Sequence, residues 1–372
     1  MSLRTTALHA LHTELGGRLV DFAGWELPVQ FAGGIAEHQH TRTAASLFDV
    51  SHMGQVLVRP LSGDLADAAA ALESVIPASV AGLAEGRQRY GLLTTQAGGV
   101  VDDLMFAHRG DAFLVVLNAA RTEVDLGLLN ALDGVAVELL TDRALLALQG
   151  PAAAAALGRL VPGVTECTFM DAVSLDWDGT ALWVSRSGYT GEDGFEVSLP
   201  ADRAAEFARL LLAEPEVAPA GLGARDSLRL EAGMPLYGHE LSEDVTPVEA
   251  GLGWAIPKVR RPGGSRADGY PGAAVISTQL ADGAPRERIG LLIDGRAPVR
   301  EGAALFADAT ATDPIGVVTS GGFSPTLGHP IAMALVAAGS APDGATTYAE
   351  LRGKRVPATV APMPFVPHAY HR

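Results

Sequence analysis

The chain has 372 residues, 48 % of them hydrophobic, and its 27 basic against 43 acidic side chains give a net charge of −16. That length allows two or three domains, and the single Cys167 excludes a disulfide framework and a cysteine-built zinc site. An acidic total without a polybasic run argues against nonspecific binding to nucleic acid or to an anionic membrane. No span approaches the roughly 20 apolar residues of a transmembrane helix. The segment Met1–Leu15 carries neither a secretory apolar run nor an Arg-rich transit pattern, so a soluble, cytoplasmic protein is expected.

In chain order, Thr5–Leu15 has helical spacing, and 18–31 reads as a strand broken by Gly24 and Pro28. A helix is expected over Ile35–Leu47, a strand over Phe48–Val58 and an Ala-rich helix over Asp64–Val75. Gly91–Thr95, Val100–His108 and Phe113–Asn118 form a meander, followed by a helix over Arg121–Leu132. Leu145–Leu148 reads as a strand, Ala152–Leu160 as a helix, and Ala181–Ser185 with Phe195–Leu199 as a hairpin. Asp202–Leu212 is an amphipathic helix, Glu214–Ala220 a Pro-rich connector, and Arg225–Ala232 a further helix. The Gly-, Pro- and Arg-dense run 257–272 is the best linker candidate. Beyond it, short β-like runs at Ile289–Ile293, Ile315–Thr319, Ile331–Val336 and Val356–Val360 suggest a small barrel or sandwich. The expected fold class is α+β, a mixed body followed by a C-terminal β domain.

Gly98–Phe106 is the most informative stretch. Strand side chains alternate, so Asp103, Met105 and Ala107 share one face while Asp102, Leu104 and Phe106 share the other. Carboxylates in an apolar strand are costly unless hydrogen-bonded or lining a cavity. Asp102 fits a turn carboxylate accepting backbone N–H groups, and Asp103 a functional group. In Ser187–Val197 a Gly-rich loop enters a strand whose Phe195, Val197 and Leu199 share a face, leaving Glu196 on the other. Glu196 is either a solvated residue or a carboxylate able to accept two parallel N–H donors from a heterocycle edge. Glu192 and Asp193 read as exposed turn residues.

The run Gly221–Met234 lacks the third glycine of a dinucleotide fingerprint and follows no clear strand. Arg225 near its helix start suits an anion or carbonyl, and Arg229 a structural ion pair. His38 and His40 have H-x-H spacing, but on a helix residues two apart diverge, so no metal site is expected. With no G-x-S-x-G, P-loop or H-E-x-x-H motif, the chemistry must run on a bound cosubstrate that the protein positions.

Eight stretches (Val20–Pro28, Phe48–Gly54, Gly98–Leu104, Gln149–Pro151, Ser187–Gly194, Gly221–Gly233, Thr319–Leu327 and Met363–Pro367) together resemble the T-protein family of the glycine cleavage system, tetrahydrofolate-dependent aminomethyltransferases. They span nearly the whole chain in family order. The resemblance implies a three-lobed cloverleaf around a folate cavity. Its first lobe is discontinuous (1–56 plus 142–265), its second is inserted at 57–141, and its third is a C-terminal barrel at 272–372. It implies transfer of an aminomethyl group from the dihydrolipoyl arm of H-protein to tetrahydrofolate, giving 5,10-methylenetetrahydrofolate and ammonia.

By the same resemblance Asp103 is the essential aspartate, where an anion opposes developing positive charge and relays a proton. Glu196 is the glutamate that binds the pterin edge, and Arg225 and Tyr370 are further folate contacts. Met53, Tyr90, Asn118, Tyr189, Tyr237 and Trp254 line the cavity, while Ala107 stands where some relatives place an aromatic. Lys258, Arg260 and Arg261 offer a basic patch for an acidic partner or the folate tail, or else a solvated linker. Two rivals are a folate-dependent demethylase of the same fold and a non-enzymatic folate-binding protein of iron–sulfur assembly. The latter branch carries K-G-C-Y-x-G-Q-E, whereas Glu231–Glu240 here has no cysteine.

Overall fold

The computed structural model describes residues 2–372. Near the N-terminus, the strands Arg18–Phe22 and Trp25–Gln30 pair antiparallel across a turn in which Ala23 and Gly24 both take positive φ. Gly24 therefore acts as a turn residue, and Pro28 sits inside the second strand.

The first large sheet has six strands, in the order Ala172–Trp177, Thr180–Ser185, Gly194–Pro200, Arg143–Gln149, Ala45–Asp49 and Val217–Pro219. Only the last pair is parallel. Leu146, Leu148, Phe195, Val197 and Leu199 turn one face of this sheet onto helices Ala153–Leu160 and Ala201–Leu212, where Leu157 and Phe207 are fully buried. Each such large side chain contributes about 1.5–3 kcal/mol on burial. Alternation then sends Glu196 and Ser198 to the opposite face.

The second sheet is wholly antiparallel, in the order Gln88–Thr94, Val100–His108, Phe113–Leu117, Gly54–Pro60 and Val135–Leu139. Its inner face packs Val56, Leu93, Phe106 and Leu117 against Leu72 of helix Leu65–Glu73 and Leu129 of helix Thr122–Asn130. Asp64 caps the first of these helices, its Oδ1 accepting the Ala66 N–H at 2.9 Å. Asp103, Met105 and Ala107 leave by the other face, toward the first sheet.

The C-terminal strands Arg286–Ile293, Ala304–Phe306, Gly316–Ser324, His329–Ala337, Thr346–Leu351 and Lys354–Ala361 close into a barrel around Leu291, Val318, Ala334 and Val360. Among the described residues no helix is long and apolar enough to cross a membrane.

Several sequence expectations need correction. The helix expected over Ile35–Leu47 stops at Thr43, because Ala45–Asp49 is already a central strand of the first sheet. The strand expected over Phe48–Val58 is two strands belonging to different sheets. They part at Val50–Met53, where the Asp49 carboxylate accepts the Ser51 N–H and Val50 accepts that of Met53. The Ala181–Ser185 and Phe195–Leu199 strands do pair, and Ala172–Trp177 adds an unforeseen edge strand. The Pro-rich connector holds the short strand Val217–Pro219.

The 257–272 run is not a solvated linker. Arg260 is buried, with its guanidinium 3.2 Å from Glu73, and Arg266 lies 2.8 Å from the same carboxylate. Arg261 donates to the carbonyls of Ile256 and Gly253. Only Lys258 of the expected basic patch projects freely.

Candidate active site

The outward faces of the two sheets border a partly open cleft, lined by Met105, Ala107 and Val116 on one side and Trp183, Glu196 and Ser198 on the other. At position 107 the small Ala replaces a wall that a larger side chain would fill.

Asp103 is fixed from two directions. The Tyr90 hydroxyl donates to its Oδ2 at 3.1 Å, and the Asn118 amide donates to Oδ1 at 2.8 Å. The same amide reaches Asp102 Oδ1 at 3.0 Å, and the Asn118 backbone N–H donates to Asp102 Oδ2 at 3.3 Å. Asp102 thus accepts a backbone N–H as expected, but it does so buried within a strand and not in a turn. Burial, with Asp102 close by, pushes Asp103 up to about 7. The pair sits where it does because Gly98 turns the chain at φ +88°, and a Cβ on Gly99 would lie 1.7 Å from the Glu243 carbonyl oxygen.

Tyr90 stacks on Trp254, with centroids 5.5 Å apart, and Tyr90 and Tyr237 both pack against the cluster that contains Leu92, Val100 and Leu241. Trp254 is 65 % exposed, so this end of the site opens to solvent.

Glu196 stands on the facing sheet. It receives one long hydrogen bond, from Ser187 Oγ at 3.4 Å, which leaves most of its acceptor capacity free toward the cavity. Burial raises its pKa, against the opposing pull of Arg225 and Ser187. Arg225 lies over the Tyr189 ring at 4.7 Å, and burial lowers its pKa despite Glu196. Met53 packs with Val116 and Leu145 beside this group.

The Ser187–Gly194 loop is held by Gln149, whose amide donates to the Ser187 carbonyl and accepts from Thr190 Oγ1, both at 2.9 Å. A Cβ on Gly188 would strike Gln149 Oε1 at 1.7 Å. Glu192 and Asp193 are therefore not exposed turn residues. Glu192 pairs with Arg42 at 2.9 Å, and Asp193 binds Arg186.

Asp103, Tyr90, Asn118, Tyr237 and Trp254 form one group, and Glu196, Arg225, Tyr189 and Met53 another. Tyr189 connects them, since the charges of both Asp103 and Arg225 act on its hydroxyl. Tyr370 lies outside both groups. Its ring stacks on Phe169 at 4.1 Å, and Arg372, Arg42 and Glu192 set its electrostatic surroundings. Arg229 is the ion-pair residue expected, 3.0 Å from Glu240. His38 and His40 diverge, His38 toward Ser227 and Glu231 and His40 toward the Glu216 carbonyl.

Three further residues near the site were given no role by the sequence. His52 is buried next to Arg225, and burial together with that charge holds its pKa down at about 4, so it is neutral at pH 7. Arg288 comes from the barrel and is the neighbour whose charge opposes the rise in the Tyr90 pKa. It donates to the Gly233 and Ala250 carbonyls. Asp125 faces inward one helical turn before Leu129, and that i, i+4 placement of a carboxylate on an apolar face was a readable signal.

The family profile described as the GCVT N-terminal domain matches residues 8–260, and the glycine cleavage T-protein C-terminal barrel domain matches 286–367. A relative from Dictyostelium discoideum named "Aminomethyltransferase, mitochondrial" is 42 % identical over 100 % of this chain and 94 % of its own length. An aminomethyltransferase from Geobacillus kaustophilus is 41 % identical over 98 % of each chain. The crystal structure of glycine cleavage system aminomethyltransferase T from Bartonella henselae superposes with a TM-score of 0.92, at 39 % identity and full coverage of both chains. These relatives favour neither the demethylase nor the iron–sulfur alternative. Matched by both domain profiles and by full-length relatives in sequence and structure, the chain belongs to the glycine cleavage T-protein family of aminomethyltransferases.

Proposed function

We propose that Asp103 is the catalytic residue of aminomethyl transfer, and that the cavity between the two sheets seats tetrahydrofolate with lipoylated H-protein as donor. The observation that carries this reading is the Asp103 carboxyl, held by Tyr90 and Asn118 on the strand face that also brings Met105 and Ala107 to the cavity, with the underused acceptor Glu196 on the opposite wall. A carboxylate with free lone pairs in an apolar wall matches a flat edge with two parallel N–H donors, as a pterin presents. Tetrahydrofolate supplies the nitrogens that accept the one-carbon unit.

The protein's share is electrostatic and positional. Ionised Asp103 opposes the positive charge that develops on the migrating carbon, and a pKa of about 7 lets it take up or release a proton near neutrality. Tyr90 and Asn118 keep it from rotating away. Arg225 and Tyr189 form a cationic and aromatic floor beside Glu196. The open side at Trp254 is where a lipoyl arm would enter. We assign no folate contact to Tyr370 beyond the family resemblance, and we place the chain in the cytoplasm on composition, noting that relatives include proteins named mitochondrial.

Replacing Glu196 by Ala is expected to weaken tetrahydrofolate binding by about 1.5–3 kcal/mol, the usual size for hydrogen bonds to a charged group. Turnover at saturating folate should change much less. Calorimetric titration measures this directly, and an unchanged affinity would remove Glu196 from the pterin edge.

A further inference from the structure

We propose that Asp125 is a positioning residue for the transfer reaction: it shares a single proton with Asp102 across the helix–sheet seam, and this pair holds Asn118 against Asp103. The inference rests on the reading of Asp103 as the catalytic group and extends it one layer inward.

Asp102 and Asp125 are both 0 % exposed, one on strand Val100–His108 and the other on helix Thr122–Asn130. Asn118, bound to Asp102 through its N–H and its amide, accepts the Arg121 N–H, and Arg121 accepts that of Asp125, so the helix start brings the two buried side chains together at the seam, where each acts on the other. Among the described residues, neither Asp125 oxygen receives an N–H or O–H from any other group. Two ionised carboxylates have only lone pairs to offer, so contact between them without an intervening donor requires that one carry a proton. One proton turns the clash into an O–H···O hydrogen bond and leaves the pair with one negative charge.

The surroundings agree. From the strand, the Asp103 charge acts on the pair. From the turn before the helix come Asn118 and Arg121, and from the segment beyond Gly233 comes Tyr237. Among the described residues, Arg121 is the cation whose charge acts on Asp125. Its Nη2 lies 2.7 Å from Glu243 and its guanidinium lies over the Tyr237 ring at 4.9 Å, while its buried Nε has no hydrogen-bond partner. Burial raises both Asp102 and Asp125, and each acts on the other.

The consequence reaches Asp103 through Asn118. Asn118 Nδ2 is shared between Asp102 Oδ1 at 3.0 Å and Asp103 Oδ1 at 2.8 Å. With Asp102 fixed by the shared proton, that amide is locked with its N–H groups toward both acids. Without it, Asp102 is held only by the two bonds from Asn118, and the amide is oriented by a carboxyl that is no longer anchored on its far side.

Infrared difference spectroscopy of the intact protein tests the shared proton. At about pH 8, where an ordinary carboxyl is ionised, the wild type is expected to show a deuterium-sensitive protonated-carboxyl C=O band that vanishes in both Asp125→Asn and Asp102→Asn. Absence of that band from the wild type, or its survival in both variants, overturns the proposal. Kinetics test the positioning role. Asp125→Asn keeps a donor to Asp102 and is expected to retain kcat within about threefold, whereas Asp125→Ala should lower it by about 10²-fold, the size of a misplacement effect. The KM for tetrahydrofolate should stay within about twofold in both. A kcat in Asp125→Ala equal to the wild type, or a loss in Asp125→Asn as large as in Asp125→Ala, also overturns it. Failure of the Asp103 assignment would show separately, as an active Asp103→Asn enzyme that still carries the band.

Discussion

Asp103→Asn is expected to lower kcat by roughly 10²–10⁴-fold, the range for a positioned acid–base group, while the protein stays folded. Asn is nearly isosteric with Asp: its single oxygen can still accept from the Asn118 amide while its NH2 donates to the Tyr90 hydroxyl, so the substitution removes charge and proton affinity more than shape. Because the Asp103 pKa is raised to about 7, the wild-type rate should fall as pH drops through that value and the carboxylate is protonated. In Asp103→Asn this limb should disappear. Single-turnover transfer from aminomethylated H-protein measures both effects, and a variant with full rate and an unaltered pH profile would refute the role.

The largest stability effect is expected at Glu231. Its carboxylate gathers Arg42 at 2.8 Å, His38 at 3.1 Å and the Thr326 hydroxyl at 2.7 Å, with Ser324 and the Thr326 N–H on the other oxygen. This one buried group therefore ties helix Gly34–Thr43 to the barrel turn, and through Arg42 to Glu192 of the loop that carries Tyr189. Burial alone would raise its pKa, but the hydrogen bonds from His38, Ser324 and Thr326 outweigh that and hold it at about 2, below its ordinary 4.5. The sign follows. Its contribution to stability is complete above about pH 4.5 and is lost as pH falls toward 2. Glu231→Ala leaves Arg42 with Glu192 as its remaining carboxylate partner and takes the shared acceptor from His38, Ser324 and Thr326, at a cost of about 3–5 kcal/mol. Chemical denaturation at pH 7 reads this as a lower midpoint, and a shift worth less than about 1 kcal/mol would show that the hub is dispensable.

What was legible in the sequence follows from the range over which each cause acts. Strand alternation is local, so the division of Asp102 from Asp103, and of Glu196 from Phe195, could be read from a few consecutive residues. Likewise the apolar runs between Gly and Pro punctuation pointed to a small barrel or sandwich, although the three-residue strand Ala304–Phe306 is too short to leave a pattern.

Burial decided by distant partners was not legible. Arg260 looks like a linker cation until Glu73, far back in the chain, is brought beneath it. Glu192 looks like a turn residue until Arg42 arrives from an early helix. The parallel pairing of Val217–Pro219 with Ala45–Leu47 is hidden in a Pro-rich stretch for the same reason. Asp125 is the instructive intermediate case. Its place on the apolar face of a helix was readable, but its meaning needed Asp102 from another element. The roles of Asp103 and Glu196 came from the family resemblance, and geometry adds what holds each of them.

The most direct test is a crystal structure with tetrahydrofolate bound. The account predicts the pteridine amino edge on Glu196, with the one-carbon-accepting nitrogens within about 3–4 Å of Asp103 and its bonds to Tyr90 and Asn118 intact. A pteridine seated away from Glu196, or an Asp103 carboxylate turned into bulk water, would contradict it.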